Sequence, residues 1–460
     1  MKSAFLKYSD EQKAELEILN AGYREFLDAG KTEREAAAEA IRIAQSYGFI
    51  DLDEIIADGG SLLSGDRVYR MNMNKSVIFA VIGDKPVSLG MNIVAAHIDS
   101  PRLDIKQNPL YEDSGIAYLD THYYGGIKKY QWVTLPLAIH GVVVKKDGLT
   151  VNINIGEDED DPVFCISDLL IHLSQDQLKK TGNVVIEGEA LDLIIGNKPD
   201  KEADSEAVKK NILSIINDKY GFTEEDFISA ELEVVPAGRA REMGLDRSMT
   251  LAYGQDDRSC AYPALEAILG IEDIPERTSV LILADKEEIG SVGATGMEAK
   301  FFENTVAEIM NAAGEYSELN LRRALSKSMM LSSDVTAAYD PCYADAFEKN
   351  NAAYMGAGVC FSKFTGARGK SGSNDANAEY IAKLRRILDA AKVNYQSAEL
   401  GKVDKGGGGT IAYICALYGM EVIDCGVPVL SMHAPHEITS KADVYEAYRC
   451  YSAFFGAKES

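Results

Sequence analysis

The chain has 460 residues, 46% of them apolar and 26% charged, with 47 Lys+Arg against 72 Asp+Glu and a formal charge of −25. That balance fits a globular protein of two or three domains, and it excludes the basic face that nucleic acids and anionic membranes require. No stretch nears the roughly 18 consecutive apolar residues of a membrane span, and the opening MKSAFLKYSDEQ carries no apolar signal core.

In chain order, the first hundred residues read as mainly helical. Thr32 and Glu35 form a capping box ahead of REAAAEAIRIAQSYGF, with Gly48 as its stop. Extended stretches are expected at 76–83 (SVIFAVIG) and 90–99 (GMNIVAAHID). From Gln107 to about Gly238 the texture changes to THYYGGIKKYQW, the β-forming runs VTLPLAIHGVVV and LTVNINIG, and an acidic run at 157–161. Helical parts are expected near 166–180 and 203–218. This segment, 107–238, reads as an inserted β-rich domain that interrupts a domain made of 1–106 and 239–460. Beyond 245, short apolar strands alternate with helices, at 279–284, 329–333, 420–426 and 428–432. That alternation predicts an α/β fold with a largely parallel sheet covered on both faces. Seven cysteines without a CxxC pair suit free thiols in a reducing cytoplasm.

The chemistry collects at strand ends. His97 ends NIVAA, with Asp99 two residues on; Glu287 and Glu288 follow SVLILADK; Asp334 follows MMLSS; His433 ends PVLSM. Singly, each has a bland explanation, since His-x-Asp arises by chance, paired glutamates are usually solvated, and a strand-end Asp often caps a helix. Jointly, polar residues end four apolar runs where open α/β sheets place their ligands. Imidazoles with carboxylates suit a catalytic metal centre, not a closed structural one. Asp256 or Asp257 of GQDDRSC could bridge two metals about 4 Å apart, and one acid of the glutamate pair would remain as general base.

At these residues the sequence resembles the M18 family of metallo-aminopeptidases, aspartyl aminopeptidase and its bacterial relatives. The matching stretches are AAHIDSPRLDIK, GQDDRSC, DKEEIGSVGATG, SSDVTAAYDP and SMHAPHEITSKADVYEAYRCYSAFF. The resemblance implies a three-layer αβα dimetal-peptidase domain with an inserted β-rich dimerisation domain. It also implies two divalent ions, zinc first, with cobalt or manganese acceptable to the same donors. It assigns His97, Glu288, Asp334 and His433 as metal ligands, Asp256 as the bridge, Glu287 as general base and Asp99 as the residue that orients His97. In the family the peptide bond after the bridging acid is often cis. His172 alone reads as a helix-face histidine. The family pattern makes it an oxyanion donor to a neighbouring subunit's site, with a third metal ligand as the alternative. His436 lies close enough to His433 to support it, and His122 and His140 read as structural.

The implied substrates are peptides, trimmed from the N-terminus, with a preference for Asp or Glu served by Arg368 and Lys370 in FTGARGKSGSN. Thr410 follows the glycine run KGGGG beside the substrate. Homodimers assembling to a dodecamer are the implied state. Lys286 in place of Asn, and Asp168 in place of a second histidine, point to the bacterial type. The rivals are a related aminopeptidase of neutral preference, an amidohydrolase, and a non-catalytic scaffold on the same fold.

Overall fold

The computed structural model describes residues 3–366 and 368–458. The chain divides into two units: one of Met1–Asp99, Ala240–Met432 and Glu437–Ser460, and one of Ser100–Arg239 with His433–His436. Sequence patterning grouped 100–106 with the first part, but the strand Arg102–Asp113 runs unbroken through that point in the smaller unit.

Four parallel strands form the centre of the larger unit: β1 (Asn92–His97), β2 (Ser279–Ala284), β3 (Met329–Ser332) and β4 (Glu421–Gly426), in the order β2–β1–β3–β4. Shorter or antiparallel strands extend this to nine. Every residue of β1 and β2 is buried, as strands covered on both faces must be. Alternation divides them between two cores. Val94, Ala96, Leu281 and Leu283 pack with the helices α1 (Gln255–Leu269) and α2 (Lys441–Phe455). Ile93, Ala95, Val280 and Ile282 face the helix Phe301–Ala312. Each valine, leucine or isoleucine among them contributes roughly 1.5–3 kcal/mol on burial. The result is the expected αβα layering. Because β1 has β2 on one side and β3 on the other, its carboxyl end is a switch point where a crevice opens.

The capping box at Thr32 and Glu35 is present, opening the helix Glu33–Ser46. PVLSM, however, does not join the central sheet. Pro428–Leu430 pairs antiparallel with Glu437–Ser440 in a separate five-stranded sheet, and His433 sits in the hairpin loop between them at φ 64°. A three-residue strand lacks the length to reveal its sheet from sequence.

The smaller unit is a six-stranded antiparallel sheet built from Arg102–Asp113, Ile116–Tyr124, Leu137–Val144, Thr150–Ile155, Leu193–Gly196 and Ala230–Pro236. Its helix, Ala207–Tyr220, lies where the pattern placed one. The helix expected near 166–180 is absent; two single 3-10 turns, Ile171–Leu173 and Gln177–Lys179, stand there instead. The apolar spacing of ISDLLIHL mimics a helix, yet Leu169, Leu170, Ile171 and Leu173 are exposed by 46%, 54%, 67% and 69%. With no core beneath them among the described residues, they have no packing to hold a helix. No helix among the described residues is long and apolar enough to cross a membrane.

Candidate metal centre

His97 closes β1 and is buried. Its Nδ1 donates to the Asp99 carbonyl at 3.0 Å and lies 3.3 Å from Asp99 Oδ1; its Nε2 is 3.1 Å from Asp256 Oδ1. Both edges of the ring thus face acceptors, so the Nε2 edge holds either a proton or another cation. Burial disfavours the charged ring, but the hydrogen bonds of Asp256 and Asp99 outweigh it and raise its proton affinity well above the usual range.

Asp99 is buried and has a second task. Oδ1 accepts the Glu287 amide and Oδ2 the Glu288 amide, both at 3.2 Å, so one carboxylate caps the turn Glu287–Ile289 and borders the His97 ring. This turn follows β2, and Asp334 lies just beyond β3. Gly426, the last residue of β4, is needed here: a Cβ at that position would overlap the Asp334 carbonyl.

Asp256 and Asp257 form a non-helical corner at the start of α1, and the peptide bond between them is cis, as the family pattern led us to expect. The corner is held from two sides. Glu437 Oε2 accepts the Asp256 amide at 3.0 Å, and Asp257 Oδ2 accepts the His97 amide at 3.3 Å. Asp257 Oδ1 is buried and makes no hydrogen bond. Desolvation pushes the Asp257 carboxyl well above its usual range, with Asp256 adding to it and His97 opposing; burial and then Glu287 do the same to Asp334. Crowded, desolvated carboxylates of this kind gain from a divalent cation that replaces protons.

The donors form two sets. One atom each of His97, Asp256 and Glu288, and one each of His97, Asp257 and Asp334, lie mutually within 4.8 Å. Nitrogen and carboxylate oxygens at that spacing fit zinc. The structure thus brings together His97, Asp256, Glu288 and Asp334, and adds Asp257. Motif reading left the choice between Asp256 and Asp257 open, with the resemblance taking Asp256 alone, and it passed over Glu437 and Arg258, although the position of Arg258 in GQDDR was a signal for it.

His433 belongs to the smaller unit, where its Nδ1 lies 2.9 Å from the Gly126 carbonyl. A carbonyl only accepts, so Nδ1 carries a proton; in the neutral ring that leaves the lone pair on Nε2, the form a metal ligand needs. His172 is exposed in its 3-10 turn and belongs to neither donor set. His140 pairs with Glu157 at 3.2 Å.

The proposed substrate residues differ in kind. Arg368 is exposed and lines a cavity of about 380 Å³ with Phe364, Lys370, Leu400, Lys402 and Val403. Lys370 is partly committed, 3.0 Å from Asp375 and over the Phe364 ring at 3.8 Å. Thr410 donates to Asp424 Oδ1 at 2.6 Å, which anchors the glycine run to β4. Burial lifts the Asp424 carboxyl to about 7.

The sequence profile described as Aminopeptidase I zinc metalloprotease (M18) matches residues 26–455. A probable M18 family aminopeptidase 1 of Clostridium acetobutylicum is 59% identical over 454 residues, covering 98% of this chain and 97% of the relative. The aminopeptidase I crystal structure from that organism aligns with a TM-score of 0.92 at 56% identity, covering 99% and 98%. The M18 aminopeptidase structure from Thermotoga maritima aligns at 0.94 and 45% identity, again covering 99% and 98%. A dodecamer structure of S. cerevisiae mApe1 aligns at 0.75 with 18% identity, covering 96% and 97%, which speaks for the fold alone.

Proposed function

The chain belongs to the M18 family of zinc metallo-aminopeptidases, and we propose that it removes single residues from the free N-terminus of peptides at the centre built on His97. One observation carries this reading: His97 is shared by two carboxylate sets, and the neighbouring glutamate turn is capped by the same Asp99 that borders the His97 ring. His97, Asp256, Glu288, Asp334 and His433 would hold two zinc ions, with Asp257 beside the shared histidine. A zinc pair supplies Lewis acidity for a water and for the scissile carbonyl.

The remaining work falls to side chains. Glu287, set next to Glu288 on the capped turn, takes the proton of the attacking water and returns it to the leaving amine as the C–N bond breaks. Asp99 fixes the His97 tautomer and the turn together. His172 acts on the site of a neighbouring copy, donating to the developing oxyanion. Its exposure between four exposed apolar side chains supports this, since a second copy would cover them. The smaller unit would then be the dimerisation domain, with dimers building a dodecamer, the assembly that yeast mApe1 forms. The cytoplasm is the compartment that suits seven free thiols.

Acidic preference rests on Arg368, which forms no ion pair with a described residue and faces a cavity. Its planar fork fits a carboxylate. A neutral preference is favoured instead by the commitment of Lys370 to Asp375. Aminoacyl-nitroanilides with N-terminal Asp, Glu, Leu and Lys separate the two. Chelator-sensitive hydrolysis is expected throughout, fastest with Asp or Glu. Less than one metal per chain together with no chelator-sensitive turnover would leave the scaffold reading.

A further inference from the structure

Arg258 follows the Asp256–Asp257 corner and is fully buried. Its Nε and Nη2 donate to the carbonyl of Ile98 at 3.2 and 2.9 Å, and Nη2 also reaches the Lys31 carbonyl at 3.0 Å. Ile98 is the residue between His97 and Asp99. The first turn of α1 therefore addresses the end of β1 with three consecutive side chains: Asp256 meets the His97 ring, Asp257 the His97 amide and Arg258 the next carbonyl. From the opposite side, the Ile98 amide donates to the Ala284 carbonyl at the end of β2.

A guanidinium at this point does two things that an apolar side chain cannot. Its rigid fork holds one carbonyl through two nitrogens and spans to a second, which fixes the direction in which the strand end presents His97 and Asp99. It also places a permanent positive charge in the buried turn that carries Asp256 and Asp257, where like charges would otherwise spread the corner apart. A lysine has the charge and a single donor head, without the fork.

We propose that Arg258 is a positioning residue for the metal centre: through Ile98 it locks the His97–Asp99 segment onto the Asp256–Asp257 corner, and so sets zinc affinity without touching zinc or substrate. This rests on the metal-centre reading above. Partners one step removed from a metal typically govern affinity by 10- to 100-fold.

The test measures zinc binding to the full-length protein by competition with a chromophoric chelator for wild type, Arg258→Met and Arg258→Lys. Near-UV circular dichroism and the thermal midpoint are recorded alongside. Leu384→Ala, in the buried face of the helix Ala378–Ala390, serves as a control that loosens the fold elsewhere. Arg258→Met should weaken zinc binding by roughly 10- to 100-fold, Arg258→Lys should fall between it and wild type, and Leu384→Ala should bind zinc as wild type does. At saturating zinc the Arg258 variants should lose kcat while keeping KM within about twofold, as for an interaction felt in the transition state.

If Arg258→Met does not fold, Arg258→Lys against Leu384→Ala carries the comparison. Zinc affinity within twofold of wild type in a folded Arg258 variant, or a loss in Leu384→Ala as large as in Arg258→Met, overturns the proposal. A wild-type protein that takes up no zinc removes this proposal and the metal-centre reading together.

Discussion

Asp99 accepts the backbone amide of Glu288 at 3.2 Å, and its other oxygen accepts that of Glu287. A side chain two residues past the end of β1 thus dictates the path of the chain past the end of β2. Asp99→Asn puts an amide donor against these N–H groups. We expect zinc affinity to fall by roughly 10- to 100-fold, with a stability loss of about 1–3 kcal/mol for each amide left unsatisfied. Chelator competition and urea unfolding measure the two, and wild-type zinc affinity in Asp99→Asn would contradict the coupling.

Glu287→Gln keeps the turn, because the amides donated to Asp99 are backbone groups. Metal content should match wild type by elemental analysis, while peptide hydrolysis falls by about 100- to 10,000-fold. Near-normal turnover would remove Glu287 as the base.

His172→Ala should lower kcat roughly 100- to 1,000-fold, the cost of one oxyanion donor. Action between subunits has a sharper signature. His172→Ala and Glu287→Gln chains, each nearly inactive, should regain activity when unfolded and reassembled together, since some pairs then combine an intact Glu287 with an intact His172. A mixture no more active than its parts places His172 elsewhere.

Arg368→Ala should reduce kcat/KM for an N-terminal Asp substrate by at least tenfold relative to Leu, a difference of about 1.4 kcal/mol. An unchanged Asp-to-Leu ratio transfers the preference to other residues or abolishes it.

How much of this was legible in advance depended on range. His97, Glu287, Glu288 and Asp334 were readable because each stands within a few residues of a continuous apolar run, and such a run identifies a buried parallel strand from its own sequence. His433 was expected at the rim of the central sheet, but the short strand before it belongs to a separate one. The contributions of Asp257 and Arg258 were hidden. Two adjacent acids at a corner point in different directions, and only packing against β1 shows which meets the His97 ring and which its amide. The stretch around His172 misled because its apolar spacing reads as a helix, whereas the exposed side chains leave only single 3-10 turns.

Asp443, in the first turn of α2, accepts the amides of Gly356 and Gly358 at 2.7 Å each, and burial lifts its carboxyl to about 8. An unfolded aspartate ionises near ~3.9. The folded state therefore binds this proton more tightly, so its contribution is fully present below about pH 4 and declines as pH rises to about 8. The slope is at most about 1.4 kcal/mol per pH unit. Asp443→Asn should flatten the fall in unfolding free energy between pH 5 and 8, at fixed excess zinc; equal slopes in both proteins would assign the proton elsewhere.

The exposed run Leu169, Leu170, Ile171 and Leu173 also bears on how the protein is made. Under the pairing proposed above, a freshly synthesised chain presents this sticky strip to water until a second copy covers it, and pairing is a bimolecular event. Scarce chains wait longer, while crowded ones meet wrong partners as readily as right ones. Cooling the culture lessens the mis-pairing, because hydrophobic association weakens at low temperature. Growth at reduced temperature should therefore raise the soluble yield, and replacing Leu173 with Asp should give soluble, unpaired chains at any temperature.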